Sequence, residues 1–403
     1  MVIARCPSCG AADLVVFYEV EQVPAHSVLL LEERAAALNY PTGDIRLAFC
    51  ADCGFITNVA FDAALHEYST RYEGTQSCSP TFNAFARRLA DHLVARYDLH
   101  HKTIVEIGCG QGEFLTLLCE SGDNRGIGFD PAYRQEASDS PARDGLTFIA
   151  DFYSERYADV PGDFICCKMT LEHIPAVGEF VGMVRRAVGD QRDRVVFFQV
   201  PNARRVLQDG AFWDVYYEHC SYFSMGSIAR LFRAAGFEVL DLVTAYDDQY
   251  LMIEAMPGSG PSAVVLPQEQ DREALRQEVA QFQTGVPRLI AAWRSRCQEL
   301  HAAGHKIVLW GGGSKGVAFL TTLGLREEVR YVVDINPNKH GTFMAGTGQE
   351  IVGPAFLQSY APDVVIVMNP IYREEVRATL HDLGVAAELL TVQAIQAARA
   401  DAG

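Results

Sequence analysis

The fold is decided by the stretch Thr103-Ile104-Val105-Glu106-Ile107-Gly108-Cys109-Gly110-Gln111-Gly112. Its first five residues predict a buried strand, and the apolar residues 114–119 predict a helix directly after the glycines. Glycine lets the backbone pass close to a ligand, and the first turn of a helix presents free N–H groups. The spacing E-x-G-x-G-x-G differs from the G-x-G-x-x-G of dinucleotide sites. We therefore expect Glu106, Gly108, Gly110 and Gly112 to form a ligand-binding turn in an α/β fold.

Acidic residues end the next two predicted strands. The strand over residues 126–129 ends in Asp130, which is placed to accept hydrogen bonds from two ribose hydroxyls. The strand over residues 146–150 ends in Asp151, which is placed to meet an adenine amino group. The turn and the two acids occur in order, so the sequence predicts a nucleoside-containing ligand at one edge of the sheet.

Two more predicted strands, over residues 163–168 and 194–200, continue the alternation, and we expect a helix in each connection. Lys168 ends the first of them, and we assign it to the same cofactor-binding set. The whole set resembles a class I S-adenosylmethionine-dependent methyltransferase over roughly residues 80–257. The resemblance implies S-adenosyl-L-methionine as cofactor and a hairpin over residues 237–255 at the far edge of the sheet.

Two cysteine pairs near the start have the spacing of metal-binding knuckles. A glycine that permits a tight turn follows each pair, in Cys6-Pro7-Ser8-Cys9-Gly10 and in Cys50-Ala51-Asp52-Cys53-Gly54. Together the pairs predict a closed, structural Zn²⁺ site with the ligands Cys6, Cys9, Cys50 and Cys53. The alternative is a coincidental set of buried thiols. A catalytic zinc is disfavoured because four thiolates leave no open position.

A second polar cluster lies between the last parallel strand and the predicted hairpin. It reads Tyr216-Tyr217-Glu218-His219-Cys220-Ser221-Tyr222-Phe223-Ser224. Imidazole can act as a base near neutral pH, a phenol can donate to a developing oxyanion, and a carboxylate can orient either. The alternative is an aromatic lid in which His219 is an ordinary hydrogen-bonding residue. His173, in Leu171-Glu172-His173-Ile174-Pro175, is either a wall of the cofactor site or a catalyst.

From residue 258 onward the sequence predicts another α/β unit. A Pro-, Gly- and Ser-rich linker over residues 257–268 precedes a long amphipathic helix over about residues 269–303. A strand over residues 306–310 leads into Gly311-Gly312-Gly313-Ser314-Lys315-Gly316, and Asp334 ends the next strand. This turn fits G-x-G-x-x-G, so a dinucleotide site with a dehydrogenase function and a purely structural unit both stay open.

With these parts together the chain resembles the sugar C-methyltransferases that act on nucleotide-linked 4-keto-deoxysugars. The resemblance implies three domains: a zinc-binding domain over 1–79, a Rossmann-like class I methyltransferase core over 80–257 and a Rossmann-like domain over 258–403. It also implies that the last domain holds the nucleotide of the acceptor, with Lys315 near phosphate. The chain departs from the family at residues 73–77 and in the loop at residues 20–26, between the cysteine pairs.

By the same resemblance, His219 and Tyr216 form the acid/base pair and Glu218 is an orienting or sugar-binding group. Carbon next to a ketone becomes nucleophilic only after a proton is removed, and the enolate oxygen then needs donors, for which Tyr222, Tyr216 and His173 are candidates. Tyr72 corresponds to a tyrosine that contacts the substrate in the family, and we place it with the cofactor-binding residues. An O- or N-methyltransferase with the same cofactor site stays an alternative.

Composition limits the remaining classes. The 403 residues carry a net charge of −17, which argues against a nucleic-acid partner because phosphate binding needs a basic face. No apolar run approaches the roughly 20 residues of a membrane span, and no signal pattern opens the chain. We expect a cytoplasmic enzyme, monomer or homodimer, acting on a small molecule.

Overall fold

The computed structural model describes residues 3–66, 71–134, 140–160, 162–260 and 264–395. In chain order its strands are β1 (Leu14–Pro24), β2 (Thr42–Cys50), β3 (Ile56–Asn58), β4 (Thr103–Ile107), β5 (Arg125–Phe129), β6 (Leu146–Ile149), β7 (Phe164–Lys168), β8 (Val195–Pro201), β9 (Ser221–Tyr222), β10 (Phe237–Ala245), β11 (Tyr250–Pro257), β12 (Ile307–Trp310), β13 (Val329–Val333), β14 (Glu350–Val352), β15 (Val364–Val367) and β16 (Glu388–Thr391). Its helices are α1 (Arg34–Leu38), α2 (Pro80–Tyr97), α3 (Glu113–Gly122), α4 (Val177–Val188), α5 (Ala203–Gln208), α6 (Met225–Ala234), α7 (Arg272–Ala302), α8 (Ser314–Leu323), α9 (Leu357–Tyr360) and α10 (Arg373–Asp382).

The central sheet has the strand order β10-β11-β8-β7-β4-β5-β6. Its inner strands are parallel, and β11 joins β8 antiparallel, so the β10–β11 hairpin lies at the far edge as the sequence predicts. The core strands are buried on both faces, which is why they read as continuous apolar runs. This is the predicted class I methyltransferase Rossmann-like fold.

The expectation of a helix in every connection is wrong between β6 and β7. Among the described residues of that connection the only helical segment is the 3-10 turn Glu155–Tyr157. Tyr153 and Tyr157 pack against Phe129 there, with ring centroids 5.1 and 4.7 Å away, so aromatic packing takes the place of a helix. The helix expected between β5 and β6 falls partly on residues 135–139, which lie outside the described residues, and a 3-10 turn, Arg143–Gly145, precedes β6.

The N-terminal sheet has the order β1-β2-β3-β9. Residues Val20–Pro24, expected in a loop, are the end of β1, which pairs with β2 through two irregularities, between Val16 and Tyr18 and between Val20 and Val23. The fourth strand comes from the polar cluster, because Tyr222 of β9 pairs with Ile56 of β3. The sheet thus carries part of the Tyr216–Ser224 segment.

The C-terminal sheet has the order β14-β13-β12-β15-β16, and all its pairs are parallel. The 31-residue helix α7 precedes it and buries Phe282 edge-on against Phe17 and Tyr18 of β1. One apolar core therefore joins the N-terminal sheet, α7 and the C-terminal sheet. Among the helices of the described residues, none has both the length and the apolar character needed to cross a membrane.

Candidate active site

Two neighbouring cavities lie at the carboxyl ends of the sheets. The central cavity, of about 510 Å³, lies over the turn after β4 and the ends of β5 and β7. The interface cavity, of about 270 Å³, lies between the Tyr216–Tyr222 segment and the turn after β12. Gly74, Thr75, Gln76 and Met169 line both cavities, so the cavities meet along these residues.

The glycine turn forms the floor of the central cavity. Gly108, Gly110 and Gly112 have φ values of +69°, +57° and +86°, in the left-handed region that favours glycine. A Cβ on Gly108 would lie 2.0 Å from the Thr170 hydroxyl oxygen, and one on Gly112 would lie 2.4 Å from the Phe148 ring. Gly108 and Gly110 line the cavity, whereas Gly112 caps α3 behind it. A side chain at either packed position would displace the turn.

Asp130 and Asp151 both line the central cavity. The carboxylate of Asp130 accepts the N–H groups of Gly110 at 2.9 Å and Ala132 at 2.8 Å, which fixes its orientation. Burial raises the pKa of Asp130. Asp151 accepts the Tyr157 hydroxyl at 2.6 Å, and that bond lowers the pKa of Asp151. Asp130 is therefore held by two backbone N–H groups in an orientation in which it can still accept hydrogen bonds from a ligand.

Glu106 and Lys168 also line this cavity, from the middle of β4 and the end of β7. Burial raises the pKa of Glu106 to about 8 and lowers the pKa of Lys168. Glu106 is 2% exposed, and its Oε2 has no hydrogen-bond partner among the described residues. The Lys168 ammonium lies 3.5 Å from the centroid of the Phe114 ring. A ligand in this part of the cavity can therefore donate a hydrogen bond to Oε2 of Glu106.

Tyr72 and His173 line the central cavity as well. Tyr72 forms a β-bridge with Leu29, and its ring meets the His26 ring edge-on at 5.5 Å. His173 ends a 3-10 turn after β7, and burial lowers its pKa to about 4. The imidazole of His173 is therefore neutral at pH 7.

Tyr216, His219 and Tyr222 line the interface cavity. The Tyr216 ring lies 4.2 Å from the His219 ring, and His219 meets His173 edge-on at 4.8 Å, between centroids. Burial, and then His173, hold the pKa of His219 well below its usual range. Burial keeps Tyr216 and Tyr222 protonated by raising the pKa of each phenol well above 10. The structure thus brings a neutral imidazole and two phenols together at the wall between the cavities.

Glu218 differs from its neighbours because it is not among the residues that line either cavity. It turns toward the N-terminal sheet, where His26 and Ser27 hold its carboxylate. An orienting role fits this placement, and a direct sugar contact does not. Sequence reasoning missed His26 and Ser27 as partners of Glu218, although His26 ends the stretch in which the chain departs from the resembled family and Ser27 follows it.

Glu172 was also missed, although it stands in the L-E-H stretch. Its carboxylate is 1% exposed, lies 4.0 Å from Nε2 of His219, and has no hydrogen-bond partner among the described residues. Burial raises the pKa of Glu172 to about 8. Glu172 is therefore a neutral acid at pH 7, directly behind His219.

The C-terminal side of the interface cavity is formed by the second glycine turn. Lys315, in the first turn of α8, pairs with Asp214. Asp334, at the end of β13, accepts the Gly312 N–H at 2.9 Å and lies 3.3 Å from the Lys339 ammonium. Asp334, which stands where a dinucleotide site has its ribose-binding acid, thus already has hydrogen-bond and charge partners within the protein.

The four predicted zinc ligands converge. The Sγ atoms of Cys6 and Cys53 lie 3.6 Å apart, as do those of Cys9 and Cys50, and all four lie within 4.8 Å of one another. A tetrahedral zinc with Zn–S bonds of about 2.3 Å would separate its sulfurs by about 3.8 Å. The donor set and its spacing therefore fit a Zn²⁺ ion.

Two protein-family profiles match the chain, and both matched ranges contain residues of the two cavities. Residues 82–242 match the family described as "Methyltransferase domain", and residues 261–388 match the "C-methyltransferase C-terminal domain". Together with the class I fold, these matches define the chain as an S-adenosylmethionine-dependent methyltransferase.

A curated relative is similar over a large part of the chain. C-methyltransferase NovU of Streptomyces niveus is 27% identical over 305 residues, which are 72% of this chain and 72% of that protein. Among solved structures, the Burkholderia thailandensis 1,6-didemethyltoxoflavin-N1-methyltransferase is 18% identical, with a TM-score of 0.34, and covers 43% of this chain and 79% of its own. Magnesium protoporphyrin IX methyltransferase of Synechocystis is 17% identical, with a TM-score of 0.35. The match covers 44% of this chain and 84% of that protein's chain.

Proposed function

We propose that the chain transfers a methyl group from S-adenosylmethionine to a carbon next to a ketone, on a nucleotide-linked keto-sugar. One observation carries the proposal: His219, Tyr216 and Tyr222 face the interface cavity where it meets the central cavity. The "C-methyltransferase" descriptions of the C-terminal profile and of NovU support carbon as the acceptor atom.

The central cavity fits the cofactor. Asp130 would accept two ribose hydroxyls, because its carboxylate is held in place and each oxygen has a lone pair left. Glycine at 108 and 110 lets the backbone approach the ligand, and Asp151 and Tyr72 line the same space. When bound, the cofactor supplies a methyl group on a positively charged sulfur.

The acid–base residues supply the other half of the chemistry. His219 is the base we favour: it takes the proton from the acceptor carbon, and the electron pair of the C–H bond stays on the acceptor as an enolate. Tyr216 or Tyr222 donates to the enolate oxygen, since both phenols are protonated in the buried site. The two cavities meet along Gly74–Gln76, where the acceptor carbon and the methyl group would be held in line.

The turn after β12 is the proposed site for the acceptor's nucleotide. Gly311, Gly313 and Ser314 of this turn line the interface cavity, together with Lys315 and Lys339. Both ammonium groups can pair with phosphate, as the first turn of a helix can. The three-domain division at residues 79 and 257, which the family resemblance implies, stays a prediction.

The zinc has a structural role in this proposal. Its four cysteines lie away from both cavities, and the knuckle packs on α4, where the Gly178 N–H donates to the Pro7 carbonyl at 3.2 Å. The Arg230 guanidinium of α6 donates to the Cys53 carbonyl at 2.8 Å. The ion would thus hold the N-terminal sheet against the central domain.

Proton exchange distinguishes carbon from heteroatom acceptors. With S-adenosylhomocysteine bound so that methyl transfer is blocked, a 4-keto nucleotide sugar should exchange its α-proton in heavy water, as read by ¹H NMR. His219→Asn should bind S-adenosylhomocysteine normally and lose on the order of 10²–10⁴ in exchange rate. The control is His381→Asn, an exposed histidine on α10. Methylation of oxygen or nitrogen, with no exchange in the wild type, would refute the carbon acceptor and leave the cofactor assignment standing.

A further inference from the structure

The N-terminal sheet holds the buried side of the acid–base segment. His26 and Ser27 follow β1 directly, and their partner Glu218 is about 190 residues further along the chain. His26 Nδ1 lies 3.0 Å from Glu218 Oε1, the Ser27 N–H donates to that oxygen at 3.0 Å, and the Ser27 hydroxyl donates to Oε2 at 2.7 Å. Both oxygens of a carboxylate that is only 2% exposed are therefore held by two residues of the loop that follows β1.

The donors determine the charge of Glu218. Burial alone would raise the pKa of this carboxyl group, but His26 and then Ser27 hold the pKa of Glu218 well below its usual range. An ionised carboxylate can only accept hydrogen bonds, so His26 carries its proton on Nδ1. The other nitrogen of His26 has no hydrogen-bond partner among the described residues, and the ring stacks on His66 at 4.7 Å. The Glu218 contact and this stacking orient the ring, together with the edge-on Tyr72 ring and the Val28 N–H, which lies 3.4 Å from Nδ1.

The anion matters to His219 because little else supports a positive charge there. The other titratable groups near His219 are Tyr216, Cys220 and Tyr222 of its own segment, Glu172 and His173 of the turn after β7, His66, and Lys315 of α8 with its partner Asp214. Burial, His173, Lys315 and His66 all lower the pKa of His219, and Glu218 opposes them. Glu172 is a neutral acid at pH 7 and gives no such support.

We propose that His26 is a positioning residue of the reaction: its bond to Glu218 keeps an anion on the residue that precedes His219 in the chain, so that His219 can hold the proton taken from the acceptor carbon. The inference rests on the proposed function. In the step, the C–H bond breaks, its electrons remain as the enolate, and imidazole becomes imidazolium. A buried imidazolium is disfavoured by desolvation and favoured by an adjacent carboxylate. The loop that follows β1 is therefore part of the proton-transfer machinery.

The test compares His26→Leu, which removes the donor, with His26→Asn, whose amide can still donate. α-Proton exchange from the keto-sugar is measured with S-adenosylhomocysteine between pH 6 and 9. At pH 7 His26→Leu should lose about 10- to 100-fold in rate with an unchanged KM for the acceptor, and His26→Asn should regain most of it. Without His26, burial raises the pKa of Glu218, so the variant should approach the wild-type rate as pH rises and Glu218 ionises.

Only variants that bind S-adenosylhomocysteine with wild-type affinity are compared, and His381→Asn is the control. Ser27→Ala removes one of the other donors to Glu218. Its exchange rate should fall less than that of His26→Leu, and this loss should also shrink as pH rises. A wild-type rate in His26→Leu would overturn the inference. If His26→Leu loses the same factor in exchange rate at every pH, and His26→Asn does not restore the rate, the inference is also overturned. A purely structural role of His26 would give that result.

A second measurement needs no acceptor. Spectra of protein labelled with ¹⁵N-histidine should show a protonated Nδ1 for His26, and Glu218→Ala should remove this hydrogen-bonded signal. Its absence in the wild type would overturn the inference whatever the acceptor is. If the signal is present but the wild type exchanges no carbon-bound proton, the proposed function fails instead.

Discussion

Replacing Asp130 tests the cofactor site quantitatively. The side chain already accepts two N–H groups, from Gly110 and Ala132, and would accept two ribose hydroxyls as well. A hydrogen bond to a charged group contributes about 1.5–3 kcal/mol, and two bonds that share one carboxylate contribute less than twice that. We expect Asp130→Ala to lose about 3 kcal/mol, or about 100-fold in affinity for S-adenosylhomocysteine.

Asp130→Asn provides the intermediate case. Asparagine keeps one side-chain oxygen that can accept a ribose hydroxyl, so about a tenfold loss is expected. Isothermal titration calorimetry measures both affinities, thermal unfolding checks that the glycine turn survives, and Asp193→Ala, at an exposed position before β8, is the matched control. An Asp130→Ala affinity within threefold of the wild type would refute the ribose assignment.

Three further results are expected. Elemental analysis should find one zinc per chain. Cys50→Ser should lose the zinc and part of the thermal stability. The control is Cys78→Ser, which changes an exposed cysteine outside the cluster and should keep the zinc. Calorimetry with thymidine or uridine diphosphate should show a 10- to 100-fold weaker affinity in Lys315→Ala, while S-adenosylhomocysteine binding stays unchanged. Glu172→Gln should melt above the wild type by a margin that grows as pH rises from about 4.5 to about 8, because the folded state holds a proton on Glu172 that the unfolded state releases. A constant margin would show that Glu172 does not titrate in that window.

The central fold was predictable because its signals are local. Glu106 and the three glycines lie within seven residues, and the parallel strands of the central sheet are short, mostly apolar runs that end in or just before a charged or turn residue. The convergence of the cysteine pairs was predictable for the same reason, since each knuckle specifies its own geometry. Fold class, cofactor turn and cysteine cluster thus follow from residue type and spacing.

The wrong expectation of a loop at Val20–Pro24 and the missed contacts of Glu218 and Ser27 have a different origin. Val20–Pro24 was expected in a loop, but pairing with β2 makes it a strand, and neither partner's sequence contains that information alone. The contacts of Glu218 with His26 and of Ser27 with Ser314, whose hydroxyls lie 2.7 Å apart, join residues roughly 190 and 290 positions apart. Such contacts have no period or spacing in the sequence. They arise only when three sheets pack together.

The pairing of β9 with β3 has a consequence for synthesis of the chain. Ile56 leaves the ribosome about 165 residues before its partner Tyr222. At typical elongation rates of about 5–20 residues per second, the edge of β3 waits on the order of 10–30 s for that partner. An unpaired strand edge is a template for pairing with another chain. Slowing translation between these two strands should therefore lower the yield of native protein before any mutation touches the active site.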